Sequence, residues 1–405
     1  MKIVVVGGGF AGLACAKALG GSEHDVVVID KSNHNLFQPL LYQVATGALS
    51  PADIAEPIRK LLKRYPNVTV LLGEVTGIDP DQHHIRLQDG TTLGYDVLVL
   101  ATGARYQYFG HEEWAQAAPG LKTIANARDI RGRLLRAFEL AELSQDKQEQ
   151  QRLTTTVVIG GGPTGVEMAG AIAELGRWTL KDEFRRIDPA CARVLLVEGG
   201  ERILGQFPAE LAQYATEQLA RLGVTVLTGR RVRDVTAQGV TIDEEFVPAG
   251  TIVWGAGVAA TPVAQWLGLP PGPGGRVAVD RHLAVKGVSD IYALGDIALL
   301  EQDGQPLPGL AQVAKQQGEY LGRALRQGRE AAGEFRFHDR GNTAVIGRHA
   351  AIFDFGRIKL KGRIAWLLWA IVHVYLLVSF EKRLLVSLQW LWRYVTRARG
   401  VRLIP

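Results

Sequence analysis

The chain has 405 residues, 47% of them apolar and 21% charged, with a net charge of +5, a composition that excludes disordered and fibrous classes and suits two or three domains. Its two cysteines, Cys15 and Cys191, are too few and too far apart for a disulfide framework, a CxxC redox pair or a four-cysteine metal site. From Gly356 onward ten Lys/Arg accompany one acid, Glu381, so a tail of +9 follows a body of −4.

In chain order, the apolar run Ile3–Val6 stops at Gly7-Gly8-Gly9. It is too short for a secretory h-region and reads as a buried strand, so the protein is expected to stay in the cytosol. A helix over 10–19 and a strand over 26–30 complete a βαβ unit. The unit recurs as a strand at 157–159, a helix from Thr164 to about Phe184 and a strand at 194–198. Shorter strands follow each copy, at 68–72 and 97–101, then at 224–227 and 251–254. The polar stretch Glu139–Arg152 reads as a surface helix or linker, and 268–275 as a loop. The expected fold is α/β, with two Rossmann-like dinucleotide-binding domains and a C-terminal amphipathic helical region that anchors to a membrane. The expected boundaries are 1–125 and 266–330 for a discontinuous first domain, 126–265 for the second, and 331–405 for the tail.

Each βαβ unit carries a glycine fingerprint. Gly7-x-Gly9-x-x-Gly12 lies between strand and helix, and Asp30 ends the next strand. The glycines permit a tight turn, backbone approach to a pyrophosphate, and close helix–strand packing, while the helix N-terminus favours the phosphates. The second copy is Gly160-x-Gly162-x-x-Gly165 with Glu198 ending its strand. A carboxylate there accepts from the 2′-hydroxyl of NAD and repels the 2′-phosphate of NADP, although Arg202 lies near enough to soften that preference. Two such sites imply two dinucleotides, economically a resident FAD and a visiting NADH. Glu167 lies in the first turn of the second helix, where the dipole favours a carboxylate in any case. His, Cys and acidic residues form no metal-binding pattern, so no metal is expected.

Over residues 1–330 the sequence resembles the two-dinucleotide-binding-domain flavoproteins. Ala101-Thr102-Gly103-Ala104 is similar to that family's ATG element, Gly295-Asp296 to its second FAD signature, and Trp254-Gly255-Ala256-Gly257 to the turn closing its NAD domain. The segment 35–47 (NLFQPLLYQVATG) and Ala311-Gln312-Val313-Ala314-Lys315-Gln316 narrow the resemblance to type II NADH dehydrogenases, single-subunit peripheral NADH:quinone oxidoreductases without proton pumping. The resemblance implies FAD contacts from Lys31, Tyr42, Thr46, Val75, Ala101, Thr102, Gly103, Gly295, Asp296 and Val313. It also implies an NAD contact at Gly257, a role for Glu167 in setting hydride-transfer geometry, and a quinone pocket bordered by Gln312 and Gln316. Disulfide reductases of the superfamily need a CxxxxC-type pair near the flavin and sulfide:quinone reductases need several cysteines, and Cys15 and Cys191 supply neither. The alternatives are a soluble NAD(P)H-dependent ferredoxin or rubredoxin reductase and a redox-sensing NADH-binding protein.

The tail favours a membrane surface. Residues 364–380 form one apolar run flanked by basic residues, with His373 and Ser379 its polar members. Leu384, Leu388, Leu391 and Val395 recur at helical spacing after it, and Trp366, Trp369, Trp390 and Trp392 suit the headgroup level. At 17 residues the run is at the lower limit for a span, so a peripheral helix on the cytoplasmic face of the plasma membrane is expected. A homodimer interface is compatible with that use. Nucleic acid is not an expected partner, because the tail is more apolar than it is charged.

Overall fold

A computed structural model of the chain describes residues 1–328, 332–377, 380–396 and 400–404. Positions 329–331, 378–379 and 397–399, which fall in the expected domain junction and tail, lie outside the described residues, as does 405. The chain divides into two compact units. One comprises 1–36, 55–105 and 258–340; the other comprises 37–54, 106–257 and 341–405.

In the first unit, strand Lys2–Val6 is central in a parallel sheet, between Asp25–Asp30 on one side and Val97–Leu100 on the other. Its Val/Ile-rich strands are buried on both faces, as parallel sheets with helical cover require. Helix Phe10–Leu19 packs against helix Ala311–Gln327 at very short range. A Cβ at Gly318 would sit 2.1 Å from the Ala11 carbonyl oxygen, and one at Gly322 2.6 Å from that of Cys15. These two small positions set the approach of the helices. Cys15 is buried there, and burial pushes its thiol up to about 12.

The second unit repeats the plan. Strand Thr155–Ile159 pairs in parallel with Arg193–Glu198 and with Thr251–Trp254. The helix after it runs over Pro163–Glu174 and passes into a wider π turn over Leu175–Thr179, ending short of the expected Phe184. The polar stretch around 139–152 falls within helices Ile124–Leu143 and Lys147–Leu153.

The tail of the second unit is a hairpin of strands, Asn342–Gly347 and Ala350–Asp354, followed by Lys359–Gly362 and two helices, Arg363–Leu376 and Phe380–Thr396. The apolar run is therefore not one helix: backbone at Leu377 turns extended after the first fourteen residues. A helix of that length spans roughly 21 Å, less than the ~30 Å of a bilayer core. Among the described residues no helix is long and apolar enough to cross a membrane. Ile364, Leu367, Ile371 and Tyr375 are exposed along one face of the first helix, and Leu384, Leu388, Leu391 and Val395 along the second.

Candidate functional site

The two glycine fingerprints fold into near-identical cradles. Gly7 and Gly160 have φ of +102° and +104°, a conformation L side chains avoid. A Cβ at Gly12 or Gly165 would lie 1.8 Å from the carbonyl oxygen of Gly7 or Gly160 respectively. The acid at the end of each second strand binds the middle glycine: Gly8 N–H donates to Asp30 Oδ2 and Gly161 N–H to Glu198 Oε2, both at 2.6 Å. Glu198 Oε1 accepts from Gly200 N–H at 2.7 Å, and Asp30 Oδ1 from Ser32 N–H at 2.6 Å. Even the carbonyl of the middle glycine is matched, by Asn35 Nδ2 at 2.8 Å in one cradle and Leu204 N–H at 2.7 Å in the other.

Gly9 and Gly162 cap the two helices without a side-chain partner, and a Cβ at either would meet nothing within 4 Å. That open space in front of helix N–H groups fits a pyrophosphate in each cradle. In the first unit Ala101 closes the cradle, since a Cβ at Gly7 would come 2.3 Å from its carbonyl oxygen. Thr102 and Gly103 follow, tied to Thr261: the Thr261 hydroxyl lies 2.5 Å from that of Thr102 and 3.2 Å from the Gly103 carbonyl. Val75 is buried in the same core, and Lys31 is exposed, with Glu74 at 3.7 Å. In the second unit Gly257 has φ of +101° beside the Phe109 ring, and Arg202 Nη2 donates to the carbonyls of Gly205 and Phe207.

Helix Ala311–Gln327 serves the first unit in two ways. Gln317, 1% exposed, accepts the Gly295 N–H at 2.6 Å and so holds the turn bearing Asp296. No sequence motif points to this residue, although it adjoins Gln316. Val313 is buried beside it. Gln312 and Gln316 turn the other way. Their amides grip the segment 338–340: Gln316 exchanges hydrogen bonds with both backbone groups of His338, and Gln312 bonds Asp339 Oδ1 and Arg340 N–H.

Glu167, Tyr42 and Thr46 meet in the second unit. They line a cavity of about 120 Å³ with Ala171, Glu174, Trp178, Arg348, Trp366, Trp369 and Trp390 among its walls. Tyr42 and Thr46 are buried; Thr46 Oγ1 donates to the Tyr42 carbonyl, and the Tyr42 hydroxyl accepts from Gln43 Nε2 at 2.9 Å. Loss of hydration pushes the Glu167 carboxyl from 4.5 up to about 8, against a weak opposing contact from Val345 N–H at 3.5 Å. Trp369, 3% exposed, is stacked between His373 and Trp390, at 4.4 and 5.3 Å between ring centres. The same apolar burial lowers His373 to about 4. Of the four tail tryptophans expected at the headgroup level, Trp369 is thus turned inward and Trp366 and Trp390 are shared with the cavity wall, because stacking there buries more ring surface; Trp392 remains exposed. Among the described residues no group of His, Cys, Asp and Glu could hold a metal ion.

Residues 1–318 match the pyridine nucleotide-disulphide oxidoreductase family model, and 340–397 match the NDH2 C-terminal domain. The type II NADH:quinone oxidoreductase NdhA of Mycobacterium tuberculosis is 39% identical, covering 98% of this chain and 88% of its own. A mitochondrial internal alternative NAD(P)H-ubiquinone oxidoreductase of Arabidopsis thaliana is 33% identical, over 97% and 84%. The fold matches NDH2 of Plasmodium falciparum, solved in complex with NADH, with a TM-score of 0.90 at 23% identity, over 97% and 98% of the two chains. The chain belongs to the pyridine nucleotide-disulphide oxidoreductases and, within them, to the type II NADH:quinone oxidoreductases.

Proposed function

We propose that this enzyme oxidises NADH in the Gly160–Gly165 cradle and reduces a lipid-soluble quinone in the cavity lined by Tyr42, Thr46, Glu167 and the tail tryptophans. FAD, held by the Gly7–Gly12 cradle with Asp30, Thr102, Gly103 and the Asp296 turn, supplies the chemistry that takes up hydride and passes on two electrons. Asp30 and Glu198 bind ribose hydroxyls, and Glu198 disfavours a 2′-phosphate. Gln312 and Gln316 act by fixing the 338–340 segment. Glu167 is neutral at pH 7 and can donate a proton to a quinone oxygen.

The observation that carries this reading is the cavity itself. It joins the segment 42–48 and an acid of raised pKa to three aromatic side chains of helices whose outer faces are exposed and apolar. Those faces, with the cationic tail, suit docking on an anionic bilayer surface, here the cytoplasmic face of the plasma membrane. Ala171 lines the cavity and is buried. Ala171→Phe fills it, and is expected to abolish oxidation of the reduced enzyme by a short-chain quinone while NADH still bleaches the flavin. Unchanged quinone turnover in a folded, FAD-loaded A171F enzyme would place the quinone elsewhere.

A further inference from the structure

The cavity has a second acid. Glu167, Ala171, Glu174 and Trp178 succeed one another at four, three and four residues along one helix, so they form a single face of the cavity wall. The π turn beginning at Leu175 adds Thr179 to that wall next to Trp178. Trp178 is 39% exposed, so this end of the wall reaches the surface, whereas Tyr42 and Thr46, which line the same cavity as Glu167, are buried.

Glu174 is fixed in place from across the cavity. Its Oε1 accepts the backbone N–H of Arg348, and a Cβ at Gly347 would come 2.9 Å from the same oxygen. The carboxyl thus packs against the 347–348 turn, whose Arg348 side chain also lines the cavity. The charged groups along the cavity are Glu167 and Glu174 on the helix and Arg348 on the facing hairpin.

The overall reaction sets a demand on this wall. NADH delivers two electrons and one proton, and a quinone becoming a quinol takes two of each; the second proton must come from water. We propose that Glu174 relays that proton from the surface at Trp178 to Glu167 and the quinone. The two carboxyls are seven residues apart, about 10 Å along the helix, so ordered water in the polar part of the cavity completes the path. In each turnover Glu174 releases one proton inward and regains one from solvent, so the relay leaves no net charge behind. The inference rests on the cavity being the quinone site.

The test compares Glu174→Gln with wild type in the full-length, FAD-loaded enzyme. Glutamine keeps an acceptor for Arg348 N–H but cannot carry a proton. Turnover with a short-chain quinone is expected to fall at least about tenfold above neutral pH, to recover in part as pH is lowered, and to be restored by added imidazole as a soluble proton carrier. Turnover with ferricyanide, which accepts electrons without protons, is expected to be unchanged. Wild-type quinone turnover across the pH range, or an equal fall with both acceptors, would overturn the relay. If A171F blocks quinone and E174Q does not slow it, the relay alone is wrong; if A171F leaves quinone turnover intact, the cavity assignment fails first.

Discussion

Trp390, on the last helix, donates its indole N–H to Gln43 Oε1 at 3.0 Å, and Gln43 in turn bonds the Tyr42 hydroxyl. A helix with an exposed apolar face is thereby wired to the segment that lines the cavity. Gln389 Nε2 to Asp53 Oδ1 at 3.3 Å, and Val401 N–H to the Gly47 carbonyl at 3.2 Å, reinforce the same docking.

Trp390→Phe keeps an aromatic ring against Trp369 and removes the donor. One buried hydrogen bond is worth about 1 kcal/mol. Amide hydrogen exchange over residues 42–49 is therefore expected to speed up roughly fivefold, with ferricyanide turnover unchanged. Exchange at the wild-type rate would show that the bond does not hold this segment.

Glu167 gives a pH dependence with a definite sign. Its carboxyl is raised from 4.5 to about 8, so the folded state holds a proton that the unfolded chain loses from about pH 4.5 upward. Its contribution to stability declines between those values and is constant above the upper one. Glu167→Gln removes that decline, and its stability relative to wild type is expected to rise across the window by a few kcal/mol at most. Quinone turnover is expected to drop above about pH 8 in wild type and to be low and flat there in E167Q. Denaturant titrations and stopped-flow oxidation at several pH values check both.

Glu198 tests the second cradle by itself. Glu198→Gln is expected to raise the KM for NADH about tenfold or more, the cost of one charge-assisted hydrogen bond. It should also narrow the preference over NADPH, because the repulsion of a 2′-phosphate is gone. FAD content should be unaffected, since Asp30 serves the other cradle. An unchanged nucleotide preference would remove Glu198 from the ribose site.

Membrane docking is expected to depend on the exposed helix faces. Ile371 and Leu388 are 59% and 54% exposed, so glutamate at both positions leaves the core intact. The double variant is expected to stay with the supernatant when anionic vesicles are sedimented, while wild type pellets and is partly released by salt. A double variant that pellets like wild type would place the membrane contact elsewhere.

Much of this was legible in the sequence. The cradles were, because each glycine answers a local demand: a positive φ at Gly7 and Gly160, and a carbonyl with no room for a Cβ at Gly12 and Gly165. Asp30 and Glu198 follow from the same local geometry. The cavity was not legible, since it is assembled from segments around 42–48, 167–179, 345–348 and 366–390 that only tertiary packing joins. For the same reason periodicity could not show that Trp369 faces inward, or that Gln317 and Gln316 serve different elements from adjacent faces of one helix. The π turn at 175–179, which ends the helix early, has no clear signature in residues LGRWT.

Anaerobic double mixing is the most direct measurement. NADH is added to the purified, FAD-loaded enzyme, and a short-chain quinone follows once the flavin absorbance is lost. The absorbance is expected to bleach with NADH, more efficiently than with NADPH, and to return in full with one quinone reduced per NADH oxidised. Bleaching that quinone does not reverse, or a flavin that NADH leaves oxidised, would contradict NADH:quinone oxidoreduction by this chain.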